Sequence, residues 1–225
     1  MCDRVLVFSS NPGRVAAEYK IDLPHPRNRL DPVFRQLVDT LYARMTQRTE
    51  PRTHATEGIH GTGVGMVLSH ASSNVLSGLI ETLARPPYNG HADLPVLASH
   101  LQLEANEILP LGESLQLLRF AQLSEGDLVL TEAGNRFAHL ETDARKKLFA
   151  EHLVAYVPVM GLIRRVLDER PSHAAPAARF RNELEDYMSE EYADETMRTI
   201  VSWGRYAELF AYDEQSETFS LENPN

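Results

Sequence analysis

The sequence predicts a mainly α-helical α+β fold with small β-hairpins, and three observations lead to this prediction. Apolar residues recur at spacings of three and four along most of the 225-residue chain, which is the period of amphipathic helices. Short runs of β-branched and aromatic residues stand beside turn residues at only a few places. Hydrophobic residues make up 43% of the chain and charged residues 24%, so a core of ordinary size can form.

Residues 1–45 predict a β-hairpin followed by a helix. The run 4–8, Arg-Val-Leu-Val-Phe, is typical of a strand, and Ser-Ser-Asn-Pro-Gly after it is typical of a turn. Residues 15–23 are expected to return as the second strand. A helix then begins after Asp31, which can cap it, with Pro32 at its first position. Its apolar face is formed by Phe34, Leu37, Val38, Leu41 and Met45.

A polar segment separates this start from the rest. Residues 46–70 contain almost no large apolar side chain before Val64, which predicts a flexible linker. Residues 71–222 are expected to form a C-terminal domain with winged-helix-like order: three helices, then a strand and a Leu-Thr-x-x-Gly step. The expected elements are helices at 75–83, 94–101 and 108–123, a strand at 127–131, a long helix at 142–169 kinked at Pro158, helices at 180–192 and 195–210, and a hairpin at 211–213 and 219–221. The two halves of this domain are expected to repeat a helix-plus-hairpin theme.

Charge and composition exclude several classes of protein. The net charge is −10, and residues 91–143 carry two basic against nine acidic side chains, so this part would repel a polyanion. No apolar run approaches the 18 residues of a membrane span, and the N-terminus lacks the features of a signal peptide. The lone cysteine, Cys2, cannot form an internal disulfide. We therefore expect a cytoplasmic protein without direct membrane insertion.

The patterns that superficially suggest a chemical site have simpler explanations. The run Gly61-Thr62-Gly63-Val64-Gly65 lacks the Lys-Ser/Thr of a phosphate loop, and a linker explains it better. His54, His60 and His70 lie in or beside the same segment, without the fixed geometry of metal ligands. The acidic stretch 183–195 lacks the spacing of a calcium loop and predicts a solvated helix face. We therefore expect no catalytic, cofactor-binding or metal-binding residue in this chain.

Two further patterns concern helix faces. Trp203, Tyr206 and Phe210 recur at helical spacing and predict a core stripe anchored by Trp203, in preference to a ligand cage. The winged-helix order also suggests DNA binding. The candidate recognition helix, however, offers few donors to base edges and has the wrong charge, its polar residues being Glu107, Glu113, Gln116 and Arg119. A winged helix used for protein contacts fits the sequence better.

Two stretches resemble known family patterns. Residues 2–14, with Asp-Arg, an apolar strand and Asn-Pro-Gly-Arg, precede Leu-Pro-His-Pro-Arg at 23–27. They resemble the segment after the switch histidine in the ATP-binding subunits of nitrate, sulfonate, taurine and bicarbonate ABC importers, although His25 stands where that family often has arginine. Residues 130–137, Leu-Thr-Glu-Ala-Gly-Asn-Arg-Phe, and residues 200–210 are similar to the AAA-associated C-terminal domain appended to a subset of those ATPases.

The resemblance implies that residues 1–45 are the end of an ATPase domain and that 71–222 are an accessory, regulatory domain. ATP and Mg²⁺ would bind only in the full-length parent, because the phosphate loop, the signature motif and the switch histidine are absent here. The implied partners are ABC transporter ATPase and permease subunits at the inner membrane. A free-standing winged-helix transcriptional regulator and a homodimerisation module remain alternatives. The transported solute does not follow from this sequence.

Overall fold

The computed structural model describes residues 2–9, 14–25, 27, 31–46, 66–69 and 71–221, and these form an α+β fold, which confirms the predicted class. The helices are α1 Pro32–Thr46, α2 Ser73–Ala84, α3 Leu94–Leu101, α4 Ala105–Leu117, α5 Glu132–His139, α6 Thr142–Tyr156, α7 Pro158–Glu169, α8 Ala177–Glu185 and α9 Glu190–Tyr206. The strands are β1 Arg4–Ser9, β2 Arg14–Lys20, β3 His91–Asp93, β4 Ala121–Ser124, β5 Asp127–Leu130, β6 Ala174–Pro176, β7 Ala211–Asp213 and β8 Thr218–Ser220. None of these helices is long and apolar enough to cross a membrane.

The chain begins with the hairpin that the sequence predicts. β1 and β2 pair antiparallel from Arg4 opposite Lys20 to Ser9 opposite Arg14, with an irregularity between Val7 and Phe8. The second strand ends at Lys20, three residues before the predicted end. The predicted helix follows as α1, and the Asp31 carboxylate accepts a hydrogen bond from the backbone N–H of Val33 at 2.8 Å, as a capping residue does.

Arg27, in the segment after the hairpin, forms hydrogen bonds to residues just before β1 and just after β2. Its side chain is only 2% exposed. It donates to the backbone oxygen of Cys2 at 2.5 Å, to the Asp3 carboxylate at 2.5 Å and to the backbone oxygen of Ile21 at 3.2 Å. A fourth bond reaches the backbone oxygen of Leu23 at 3.1 Å. The planar fork of donors in arginine suits this task, which gives the Pro-Arg end of the Leu-Pro-His-Pro-Arg motif a structural role.

The first unit of the C-terminal part contains α2, β3, α3, α4, β4 and β5. Its three strands are antiparallel in the order β3-β5-β4, with His91 opposite Val129 and Leu123 opposite Leu128. The prediction of one helix over 108–123 was wrong at its end. The helix stops at Leu117, Arg119 takes a left-handed conformation with φ of 61°, and the following residues enter β4.

The predicted long helix 142–169 is two helices. α6 ends at Tyr156 and α7 begins at Pro158, and Val157 between them has the extended angles φ −120° and ψ 91°. Proline has no N–H to donate and disfavours helical angles in the residue before it, so the chain breaks at Val157 instead of bending.

The second unit contains α7, β6, α8, α9, β7 and β8. Its strands are antiparallel in the order β6-β8-β7, which is the topology of the first unit, so the expected repeat of helix and hairpin is present. The predicted helix boundaries at 192 and 195 were wrong. α8 ends at Glu185, and α9 begins after Ser189, whose hydroxyl accepts from the backbone N–H of Tyr192 at 3.5 Å.

One core joins the two units. Its buried side chains come from both of them, between Leu68 and Phe219, and no described hydrophobic residue before Leu68 is buried. Trp203 is fully buried and donates its indole N–H to the backbone oxygen of Ala71 at 2.6 Å. Phe149 of α6 meets the Trp203 ring edge-on, with centroids 6.3 Å apart. The N-terminal hairpin therefore lies outside this core, whereas α1 borders it: Tyr42 is half-buried against the core, and α1 contacts α3 and β4.

Candidate functional site

The structure accounts for several residues that the sequence raised as site candidates. Among the described residues, no group of three His, Cys, Asp or Glu side chains could hold a metal ion. His54, His60, His70 and the glycine run 61–65 lie outside the described part of the chain. Of the predicted core stripe, Trp203 and Phe210 are buried, whereas Tyr206 is half-buried and borders a cleft.

Three of the four polar side chains named as candidates around α4 are engaged with neighbouring residues. The Gln116 side chain accepts a hydrogen bond from the backbone N–H of Leu123 at 2.8 Å. Glu107 accepts from the backbone N–H of Glu104 at 2.8 Å in a capping box at the start of the helix. The Arg119 guanidinium lies 5.6 Å from the centre of the Tyr156 ring. This helix therefore presents few groups that could read bases.

A cleft of about 860 Å³ lies where the N-terminus of α2 meets the second unit. Ser73 and Asn74 of α2 form one side, and the walls opposite come from α8, α9 and the β7–β8 hairpin. The residues that line it are Ser73, Asn74, Ala177, Ala178, Arg181, Asp194, Met197, Arg198, Val201, Ser202, Arg205, Tyr206, Tyr212, Glu214 and Glu217. The cleft thus borders both units.

Helical spacing places one stripe of α9 along the cleft. Residues 194, 198, 201 and 205 recur every three or four positions and share a face. The opposite face of the helix is in the core, with Thr196, Ile200 and Trp203 buried. The spacing of this second stripe is visible in the sequence, but only the structure shows that the stripe faces a cleft instead of open solvent.

The three arginines of the cleft differ in their partners. Arg181 contacts Asp194, donates to Glu185 at 3.0 Å and lies 3.7 Å from Glu190. Three carboxylates of the acidic stretch 183–195, those of Glu185, Glu190 and Asp194, thus lie around one arginine on the helix surface. Arg205 lies 3.3 Å from Glu214.

Arg198 is the exception. It is exposed, and its side chain forms no ion pair or hydrogen bond in the part of the chain that the structure describes. Its neighbours on the cleft surface include the half-buried side chains of Met197 and Val201. Across the cleft, burial raises the pKa of the Tyr212 hydroxyl, and the carboxylate of Glu217 raises it further.

A comparison with known families identifies the domain that contains most of these two units. The family model for the C-terminal AAA-associated domain matches residues 95–213, which is more than half of the chain. The chain belongs to the C-terminal AAA-associated domain family. No curated protein and no solved structure matched the chain.

The matched residues run from α3 to β7 and include most of both units. They therefore contain the α9 stripe with Arg198, but not α2, the hairpin β1–β2 or α1. The chain thus carries an ABC-ATPase-associated C-terminal domain, as the Leu-Thr-Glu-Ala-Gly resemblance implied. Within the AAA-associated domain, that motif begins α5: the Thr131 hydroxyl accepts from the backbone N–H of Gly134 at 3.1 Å.

Proposed function

We propose that this chain is the accessory C-terminal region of the ATP-binding subunit of an ABC importer for nitrate-, sulfonate- or bicarbonate-like anions. Residues 1–45 would be the end of the ATPase domain and 71–222 a regulatory domain with two winged-helix-like units. Of the linker expected at 46–70, residues 66–69 pack with the C-terminal domain, because Leu68 is buried in its core and bonds to Thr196. The parent protein would bind ATP and Mg²⁺ and couple hydrolysis to uptake, whereas this region would contribute no ATP-site residue. Such a subunit works in the cytoplasm, at the inner face of the membrane.

The observation that carries the proposal is the AAA-associated domain at 95–213, joined in one chain to a hairpin whose sequence resembles that of ABC importers. The resemblance of residues 2–14 and 23–27 concerns a strand, a turn and a motif. In the structure this strand pairs with β2 in a hairpin, and Arg27 of the motif donates a hydrogen bond to the backbone beside it. The two resemblances are independent of each other, and both point to the same class of protein.

The surface of the hairpin also supports the proposal. A two-stranded hairpin alone in water is marginally stable, so such an element normally packs against a larger body. Here Phe8 is 63% exposed and Val15, its partner across the strands, is 53% exposed. Leu6 is exposed on the same strand. These neighbouring apolar side chains are suited to contact the remainder of an ATPase domain.

Charge argues against the transcriptional-regulator alternative. Residues 170–221, which include the second unit from β6 onward, contain five basic and eleven acidic side chains. Phosphate contacts from lysine and arginine supply most of the affinity of DNA-binding domains. Since residues 91–143 are acidic as well, both units are better suited to protein contacts.

Co-purification tests the proposed function. The tagged chain, expressed in its own host and extracted in mild detergent, should retain ABC ATPase and permease subunits, identified by mass spectrometry. Val15→Asp should reduce this retention, because it places a charge on the apolar face of the hairpin. Val96→Asp is the matched control, since Val96 on α3 is 58% exposed and the substitution is the same.

Two outcomes would contradict the proposal. One is a chain that retains no ABC subunit, and the other is a chain that instead retains selected genomic DNA at physiological salt. Equal retention by Val15→Asp and Val96→Asp would contradict only the role given to the hairpin.

A further inference from the structure

We propose that the cleft between α2 and the second unit binds a small molecule through one planar oxyanion group, which Arg198 holds. The group is a carboxylate or an inorganic oxyanion, since both present oxygens that match the guanidinium fork. The inference does not depend on the transporter assignment, because binding is a property of the chain itself.

The charges of the cleft select Arg198 as the binding residue. Asp194 and Glu185 already neutralise Arg181, and Glu214 neutralises Arg205. Arg198 lies on the same face of α9, between these two pairs along the helix, and has no such partner among the described residues. An anion entering the cleft therefore meets one guanidinium whose charge is still available.

The surroundings of Arg198 distinguish it from an ordinary surface arginine. A volume of about 860 Å³ lies within the range of small-molecule sites. Met197, Val201 and Tyr212 are half-buried and offer an apolar surface to the body of a ligand. A charge pair beside such a surface is less screened than one in open water, so the contact gains strength.

The same lining limits the charge of the ligand. Glu217 also lies in the cleft and has no cationic partner among the described side chains. Its carboxylate would repel a second anionic group. A ligand with a single negative group suits the charges of the cleft, whereas a nucleoside triphosphate or a nucleic acid carries too many negative groups.

Amide chemical-shift titration of the purified chain tests the proposal with three probes. Benzoate carries a carboxylate on an apolar ring, benzamide has the same shape without the charge, and nitrate is a planar inorganic oxyanion. Benzoate or nitrate should shift amides of residues 194–205 and of Tyr212 saturably, whereas benzamide should not. If only benzoate binds, the ligand class is an organic carboxylate. If only nitrate binds, the ligand class is an inorganic oxyanion.

Two variants make the test specific. Arg198→Met should weaken binding at least about tenfold, because it removes the charged hydrogen-bond donor. Arg165→Met is the control, since Arg165 on α7 is also exposed and lies outside the cleft. The proposal is overturned if neither anion gives saturable shifts, if benzamide binds as well as benzoate, or if Arg198→Met binds as the parent does.

Discussion

Gly134→Ala should strongly destabilise the AAA-associated domain, because the new methyl group has no space. A Cβ built at Gly134 would lie 2.0 Å from the backbone oxygen of Phe120 and 2.9 Å from its carbonyl carbon. That carbonyl cannot move freely. It accepts from both the backbone N–H and the hydroxyl of Thr131 at 3.0 Å, and the buried Phe120 ring stacks on His152 with centroids 4.4 Å apart.

The size of the effect follows from two opposing terms. Overpacking a rigid site typically costs about 1–3 kcal/mol and occasionally more. Since the contact is with fixed backbone, we place the cost at the upper end, about 3 kcal/mol. Alanine in place of glycine inside a helix returns at most about 1 kcal/mol. The free energy of unfolding should therefore fall by about 2 kcal/mol or more.

Urea unfolding followed by far-UV circular dichroism measures this change, with Gly78→Ala as the matched control. Gly78 lies inside α2, and a Cβ there would meet nothing within 4 Å. The same substitution should therefore stabilise the chain by about 0.5–1 kcal/mol. The reasoning would be refuted if Gly134→Ala unfolded at the same urea concentration as the parent, or at the same concentration as Gly78→Ala.

The remaining predictions concern other parts of the chain. Thr196→Val should lower the free energy of unfolding in urea by about 1–3 kcal/mol, because the Thr196 hydroxyl accepts from the buried backbone N–H of Leu68 at 3.2 Å. The control is Thr40→Val, at an exposed position of α1, which should change the free energy of unfolding by less than about 0.5 kcal/mol. Hydrogen bonds from Ser216 and Gln215 lower the pKa of Asp213 below 3.8, so its charge stabilises the β7–β8 hairpin above that pH and the contribution is lost as pH falls through the lowered pKa. The stability difference between parent and Asp213→Asn should accordingly disappear in acid. Isothermal titration should detect no micromolar Mg-ATP binding to the purified chain. Gel shifts should show no sequence-selective DNA binding at physiological salt.

Local signals made much of the fold predictable. Asp31 before Pro32 and Asp93 before α3 are capping residues, and both helices begin where these residues indicate. The N-terminal hairpin and the strand β5 follow from turn residues and short apolar runs in the same way. These features depend on neighbours in the sequence, which explains why the sequence alone reveals them.

The strands β3 and β6 were not predicted, because contacts between residues distant in the sequence form them. β3 and β6 have three residues each, too few to show an alternating pattern, and they form by pairing with β5 and β8 far along the chain. The break between α8 and α9 has no glycine or proline. Its available signal was Ser189 followed by two glutamates, which is typical of a helix start.

The cleft could not be predicted for the same reason. The spacing of residues 194, 198, 201 and 205 shows that they share one helix face, but it does not show what stands opposite. Asn74 of α2 and Glu217 of β7–β8 reach the cleft through tertiary packing. Which arginine remains without a partner depends on those neighbours as well.

Site-specific photo-cross-linking tests most directly whether the hairpin contacts an ABC ATPase. A photoreactive phenylalanine at position 8 should cross-link in cells to the nucleotide-binding domain of an ABC importer. The same group at Tyr187 serves as the control, because Tyr187 is 65% exposed and lies in the AAA-associated domain. An adduct with that ATPase from position 8 and none from position 187 is the predicted result. Position 8 yielding no ATPase adduct, while the chain is folded and present, would contradict the account.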